Sequence, residues 1–244
     1  MIIGFIGFGK VAKNIVHLIK SDNITFLTST QNRSKDTIDN IMKSKVTVLN
    51  NFKDVAIQSD ILISVNSPNQ ALSAAIEYGK YSKGIYLDLN NISPKMTFEI
   101  SKHVDNFVDG AIIGKIDSKN PILYLAGKNL EKLDFLSEFL EIHKISENLG
   151  DASKLKLLRS LYTKSISAVL IESLEVASNL DLEDEFFDIL SLTEGDDFKD
   201  KAISRITNTK MSKKRKVEEL SQIIDYLENE DLTMVKASLE KINR

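Results

Sequence analysis

The first sixteen residues, MIIGFIGFGKVAKNIV, restrict this chain more than any other stretch. Residues 2–6 are a short apolar run of the kind that becomes a buried parallel strand. Gly7, Gly9 and Ala12 follow as G-x-G-x-x-A, and from Lys10 the apolar residues Val11, Ile15, Leu18 and Ile19 recur at helical spacing. Strand, glycine turn and helix in that order are the context a dinucleotide fingerprint requires. Gly7 permits the tight turn, Gly9 lets the backbone approach a pyrophosphate, and Ala12 lets the helix lie close on the strand. The helix N-terminus then offers free N–H groups and the positive end of its dipole. Gly7, Phe8, Gly9, Lys10 and Val11 are therefore expected to hold the pyrophosphate of a dinucleotide. An incidental glycine turn is the weaker reading.

The remaining composition narrows the classes. At 244 residues, 42% hydrophobic and 27% charged, the chain can build one large or two modest domains. A net charge of -3 gives no basic excess for nucleic acid. Cysteine is absent, which excludes disulfides, thiolate catalysis and cysteine-bound metal. His17, His103 and His143 are too scattered to suggest a metal site. A strand beginning at residue 2 leaves no room for a signal peptide, and no apolar run reaches spanning length, so a soluble cytoplasmic protein without membrane contact is expected.

Residues 24–29 read as the second strand. Its end normally carries an acidic residue for the ribose of NAD. Here the sequence runs Thr28, Ser29, Thr30, Gln31, Asn32, Arg33, Ser34, without a carboxylate. A carboxylate would repel a 2′-phosphate, whereas Arg33 and nearby hydroxyls would bind one, so NADP is favoured over NAD. A solvated loop charge is the plain alternative for Arg33. Further strands are expected at 46–49, 60–65, 85–89, 107–113 and 121–126, with a helix over 129–141. After the fourth strand, Asn66 and Ser67 precede Pro68 at a site where ligands sit in open α/β sheets. Cofactor contact and turn or cap duty remain equal readings for that pair. The fifth strand leads into Asp88-Leu89-Asn90-Asn91-Ile92-Ser93-Pro94, with Ser93 and Pro94 opening a helix. Six or seven strands alternating with helices describe an α/β, Rossmann-type doubly wound domain over residues 1–149.

The pattern changes at Gly150. Residues 151–179 contain no glycine or proline, which predicts one helix roughly 40 Å long. Its stretch from 166 to 177 is apolar on most sides, which predicts burial in a helical core or a subunit interface. Shorter helices are expected near 183–192, 197–207, 213–228 and 231–242, giving an all-α second domain over 150–244. Glu172 within the long helix is expected to pair with a cation across the helical core. The basic run KMSKKRK at 210–216 reads as a solvated helix start.

These features together resemble the β-hydroxyacid dehydrogenases, whose relatives include 6-phosphogluconate and 3-hydroxyisobutyrate dehydrogenases. The resemblance extends over nearly the whole chain. GFIGFGKVAKNI is similar to that family's cofactor motif, and Asn32-Arg33-Ser34 to the loop its NADP-using members place on the 2′-phosphate. Residues 88–94 have the spacing of its D-x-S-T-x-x-P substrate motif, with Asn90 and Asn91 in place of Ser and Thr. Residues 109–114 are similar to its D-A-P-V-S-G segment, with Ile113 where the family has a Ser. Gly150 and Lys156 fit the glycine-led segment that carries the catalytic lysine, with Arg159 and Ser160 where an Asn is expected. The helical C-terminal part is closer to a poorly characterised branch of phosphogluconate-dehydrogenase-like proteins.

The resemblance implies an NADP-dependent oxidoreductase acting on a small hydroxy acid or its oxo partner, built as a homodimer. Lys156 is then the expected general acid/base, since no histidine or cysteine is placed for that work. Asn90, Asn91, Arg159, Ser160 and Lys164 are the expected substrate contacts. Lys156, Ser160, Thr163 and Lys164 recur at helical spacing, and Arg159 and Lys164 are the cations expected to depress the pKa of Lys156. A solvated helix face is the alternative for this stripe. A non-catalytic NADP-binding sensor with a decayed substrate pocket is the alternative for the whole protein.

Overall fold

The computed structural model describes residues 1–114, 116–117 and 121–244. The chain divides into two compact units, residues 1–156 and 157–244.

The first unit is an eight-stranded sheet with helices on both faces. Its strands are β1 (Ile2–Ile6), β2 (Thr25–Ser29), β3 (Thr47–Leu49), β4 (Ile61–Ser64), β5 (Ile85–Asp88), β6 (Phe107–Ile113), β7 (Ile122–Gly127) and β8 (Glu141–Ser146). The spatial order is β3-β2-β1-β4-β5-β6-β7-β8, and every neighbouring pair is parallel except β6 with β7. The helices are α1 (Lys10–Leu18), α2 (Lys35–Met42), α3 (Phe52–Gln58), α4 (Pro68–Tyr78) and α5 (Pro94–Ser101). The order reverses direction between β1 and β4, the switch point at which such sheets bind ligands. Strands β4 and β5 are buried at every position, which explains their unbroken apolar reading. One face carries Ile3, Phe5, Ile63, Leu87 and Val108; the other carries Ile6, Leu62, Tyr86 and Phe107.

The helix expected over 129–141 is absent. Residues Leu130–Glu138 form 3₁₀ turns instead, and β8 follows them. The reason lies in Leu130, Leu133 and Leu136, all buried at a spacing of three, the 3₁₀ period rather than the α period. The strand β8 escaped notice because it is a largely exposed edge, EIHKIS, whose charged residues break the apolar alternation.

The long helix α6 (Asp151–Asn179) forms over the expected span. Gly150 precedes it at φ +88°, a left-handed conformation in which a side chain is strained. The first turn of α6 belongs to the first unit, where Ala152 and Ser153 are buried. The unit boundary thus falls inside the helix rather than at residue 150.

The second unit contains the rest of α6 with α7 (Glu183–Glu194), α8 (Phe198–Met211), α9 (Lys213–Tyr226) and α10 (Thr233–Asn243). Ala168 of α6 packs with Leu220, Ile223, Leu232, Val235 and Ile242, and Leu170 packs with Phe187, Ala202 and Ile206. Lys241 pairs with Glu175 at 2.5 Å and Glu172 at 3.8 Å, the cation expected for Glu172. The burial expected for residues 166–177 is only partial within one chain, where Val169 and Val176 stay exposed. Leu158, Tyr162, Val169, Val176 and Leu180 are all exposed. They fall four or seven residues apart and so trace one stripe along the helix. Among the described residues no helix is long and apolar enough to cross a membrane.

Candidate functional site

The glycine turn ends β1 at the switch point. Gly7 has φ +91°, and a Cβ there would lie 2.6 Å from the Val65 carbonyl oxygen. Only glycine lets the turn press this closely on the end of β4. Gly9 is the opposite case, since a Cβ on it would meet nothing within 4 Å. No side chain caps α1, and no acidic residue stands in its first turn. The N–H groups of Lys10, Val11 and Ala12, which have no partners within the helix, are left to an anion. Phe8 contributes only its backbone, because its ring is buried edge-on to Phe5 at 5.8 Å. The Lys10 ammonium pairs with Asp117 at 2.8 Å, and Val11 packs against the core.

The loop after β2 turns at Asn32, which takes φ +54°. Arg33 lays its guanidinium 4.5 Å above the Phe52 ring, and its buried Nε has no hydrogen-bond partner among the described residues. Burial holds its pKa below the ordinary arginine value. Ser34 caps α2 by accepting from the Thr37 N–H at 3.4 Å and meets the Thr37 hydroxyl at 3.0 Å, so it serves the helix start. Ser67, exposed, donates to Asn69 Oδ1 at 2.6 Å and to Gln70 Oε1 at 3.1 Å.

A polar network crosses the carboxyl ends of β4 and β5 and the third residue of β6. The Asn66 N–H donates to Asn90 Oδ1 at 2.5 Å. Asn90 Nδ2 donates to Ser64 Oγ at 2.8 Å and to Asp88 Oδ2 at 2.9 Å, while the Asn90 N–H reaches Asp88 Oδ1 at 2.9 Å. On the next strand, Asp109 accepts from the Ser153 N–H at 2.9 Å and the Ser153 hydroxyl at 2.7 Å. The Ser153 hydroxyl also meets Thr97 Oγ1 at 3.0 Å. Asp88 and Asp109 are register partners, each about 2% exposed. Burial pushes Asp88 up to about 7; its Asn90 hydrogen bonds oppose that, Asp109 adds to it, and the positive charge of Lys156 opposes it. Asp109 is raised by burial, against the Ser153 bonds and the charge of Lys156. Lys156 therefore stands where its charge acts on both carboxylates.

The scan of protein-family models finds no match. A curated relative, an uncharacterised 28.5 kDa protein of Methanothermus fervidus, is 41% identical over 99% of this chain and 96% of its own. A conserved protein of unknown function, whose structure was found similar to the 3-hydroxyacid dehydrogenases, superposes with a TM-score of 0.87 at 34% identity. It covers 100% of this chain and 96% of that one. The chain belongs to this branch of the β-hydroxyacid dehydrogenase-like proteins. Wider members share the fold alone. The 3-hydroxyisobutyrate dehydrogenase of Mycobacterium tuberculosis, solved with L-serine, has a TM-score of 0.77 at 12% identity, over 98% of this chain and 91% of that one. An imine reductase of Myxococcus stipitatus, solved with NADP+, has a TM-score of 0.61 at 17% identity, over 99% and 93%.

Within this β-hydroxyacid dehydrogenase-like frame, several expected contacts take other duties. Asn90 is 5% exposed and its amide ties three neighbours together, so it is not available to a substrate. Asn91 is exposed and makes no hydrogen bond among the described residues. In the second unit Arg159 is exposed, Ser160 accepts from Lys164, and Lys164 is buried in an ion pair with Glu219 at 2.8 Å. An ammonium taken from water needs such a partner, which removes Lys164 from the free substrate contacts. Asp88, Asp109 and Ser153 were given no role from sequence. A lone carboxylate in each of two otherwise apolar strands in succession, last in β5 and third in β6, is the signal that marks the two aspartates. A cleft of about 1040 Å³ between α1 and the starts of β2 and β3 lies at the amino ends of the strands, away from this network.

Glu219→Gln should leave the buried Lys164 uncompensated and cost about 3–5 kcal/mol in urea unfolding. Pairing it with Lys164→Met should restore most of that stability. A single variant as stable as the parent would show that the pair is not the partner the ammonium needs.

Proposed function

We propose that this protein is an NADP-dependent oxidoreductase that moves a hydride between NADP(H) and a small hydroxy acid or its oxo partner. The observation that supports it best is a hydrogen-bonded path from the cofactor turn to a carboxylate on which the candidate acid/base acts. Gly7 abuts Asn66, Asn66 bonds Asn90 and Asn90 bonds Asp88, and the charge of Lys156 acts on Asp88. The turn's uncapped N–H groups and the open space at Gly9 fit a pyrophosphate. The unpartnered Arg33 Nε and the absence of a carboxylate after β2 fit a 2′-phosphate. The bound dinucleotide supplies the hydride chemistry. Lys156 exchanges the proton of the substrate oxygen, and Asn91 remains as a polar contact for a carboxylate substrate.

The second reading is a non-catalytic NADP-binding protein. It draws on Asn90 and Lys164, whose polar groups are engaged within the protein rather than offered to a substrate. The exposed stripe of α6 supports assembly as a homodimer through the second unit, because aligned Leu158, Tyr162, Val169, Val176 and Leu180 need cover.

Three measurements test these proposals. A screen of 3-hydroxy acids and 2-oxo acids followed by NADPH absorbance should find turnover, and Lys156→Ala should lower it by about 10²–10⁴-fold with NADP affinity unchanged. Retention of turnover within a few-fold would exclude Lys156 as the proton carrier. Arg33→Ala should weaken NADP by about tenfold or more and leave NAD nearly untouched; equal affinity of the parent for both cofactors would rule out the preference. Light scattering should give twice the 27.4 kDa chain mass, and Tyr162→Lys with Val169→Lys should shift it to the monomer. A monomeric parent at micromolar concentration would remove the dimer.

A further inference from the structure

Two carboxylates are register partners on adjacent parallel strands, Asp88 as the last residue of β5 and Asp109 as the third of β6, both out of water, and the charge of Lys156 acts on both. Their hydrogen bonds come from neutral groups: Asn90 on Asp88, and Ser153 with the Ala152 N–H on Asp109. Ser64 from β4 and Thr97 from α5 complete the surroundings, and they too are uncharged. Among the described residues the Tyr86 phenol on β5 is a further titratable neighbour, which burial and Asp88 hold neutral well above its ordinary range. Burial pushes Asp88 up to about 7, and the charge of Asp109 on the adjacent strand acts in the same direction.

We propose that Asp88 and Asp109 share one proton at neutral pH and present a single negative charge that keeps Lys156 an ammonium. Both aspartates are then positioning residues, and the three groups together are electrically neutral, the condition under which charges tolerate burial. The inference rests on the functional reading above and sharpens it: Lys156 enters the reaction as a proton donor, so reduction of an oxo acid is the favoured direction. The carbonyl carbon gains the hydride of NADPH as the C=O π pair moves to oxygen. That oxygen takes the Lys156 Nζ proton, leaving a hydroxy acid, NADP+ and a neutral amine that solvent reprotonates.

The charge state is read without cofactor or substrate. In isotopically labelled protein, the Lys156 side chain can be assigned by comparison with Lys156→Arg and followed by NMR against pH. It should stay charged to about pH 9 or beyond, given the ordinary lysine value near 10.4. Asp88→Asn and Asp109→Asn together should lower its midpoint by about one unit or more, whereas either alone leaves one carboxylate and should move it less. Titration of Lys156 below about pH 8 in the parent, or an unmoved midpoint in the folded double variant, would overturn the proposal. If the double variant fails to fold, carboxyl-carbon NMR of the parent decides. The two aspartates should titrate as a coupled pair with one step near neutrality, and independent steps near pH 4 for both would refute sharing. Loss of the functional reading looks different: Lys156→Ala would then leave turnover unchanged while the NMR titrations still showed the shared charge.

Discussion

One transverse row of the sheet organises the first unit. Ile6, Ser64, Asp88, Asp109 and Ala126 are register partners across β1, β4, β5, β6 and β7. Everything on the amino side of this row is apolar core, and the polar network begins at it. The row is level because parallel strands buried on both faces cannot slip without moving every side chain to the wrong face. Gly7 begins one residue beyond Ile6, Asn66 two beyond Ser64, and Asn90 two beyond Asp88. Packing of the strands thus fixes the distance between the glycine turn and two buried carboxylates. The first turn of α6 is then tied to the same row through Ser153 on Asp109.

Much of this was legible in the chain because the relevant signals are local. A glycine turn between an apolar run and an amphipathic helix needs no tertiary knowledge, and neither does a 29-residue helix free of glycine and proline. What escaped depends on partners distant in sequence. The edge strand β8 has exposed, charged residues because it has only one neighbour, so its pattern is not that of a buried strand. Lys164 looked available on a helical stripe until Glu219, far along the chain, took its charge. Asp88 and Asp109 were visible as residues but silent as a pair, since nothing local says that the end of one strand lies in register with the third residue of the next.

The second unit shows a different constraint. Its apolar residues are divided between two small cores, one of α6 with α9 and α10, the other of α6 with α7 and α8. A helix that serves two cores on two sides has one side left over. That side carries Leu158, Tyr162 and Val169 rather than lysine and glutamate. The apolar composition of residues 166–177 is therefore only partly explained by the fold of one chain. Exposed singly, such residues need no explanation; aligned along a helix, they do.

The two asparagines after β5 are where this branch departs from the hydroxy-acid motif it resembles, and the structure gives the departure a physical sense. A serine hydroxyl has one donor, whereas an asparagine amide has two donors and an acceptor oxygen. Asn90 uses them to bind Ser64 of β4, Asp88 of its own strand and the Asn66 N–H beyond β4. A serine at that position would leave at least one of these buried groups unsatisfied, at a cost of about 1–3 kcal/mol each. The amide also donates to Asp88, the carboxylate whose charge state matters beside Lys156. The exchange at position 90 therefore trades a hydroxyl for a cross-link between two strand ends. It places the burden of recognising a substrate on residues outside this network, of which exposed Asn91 is the nearest in sequence.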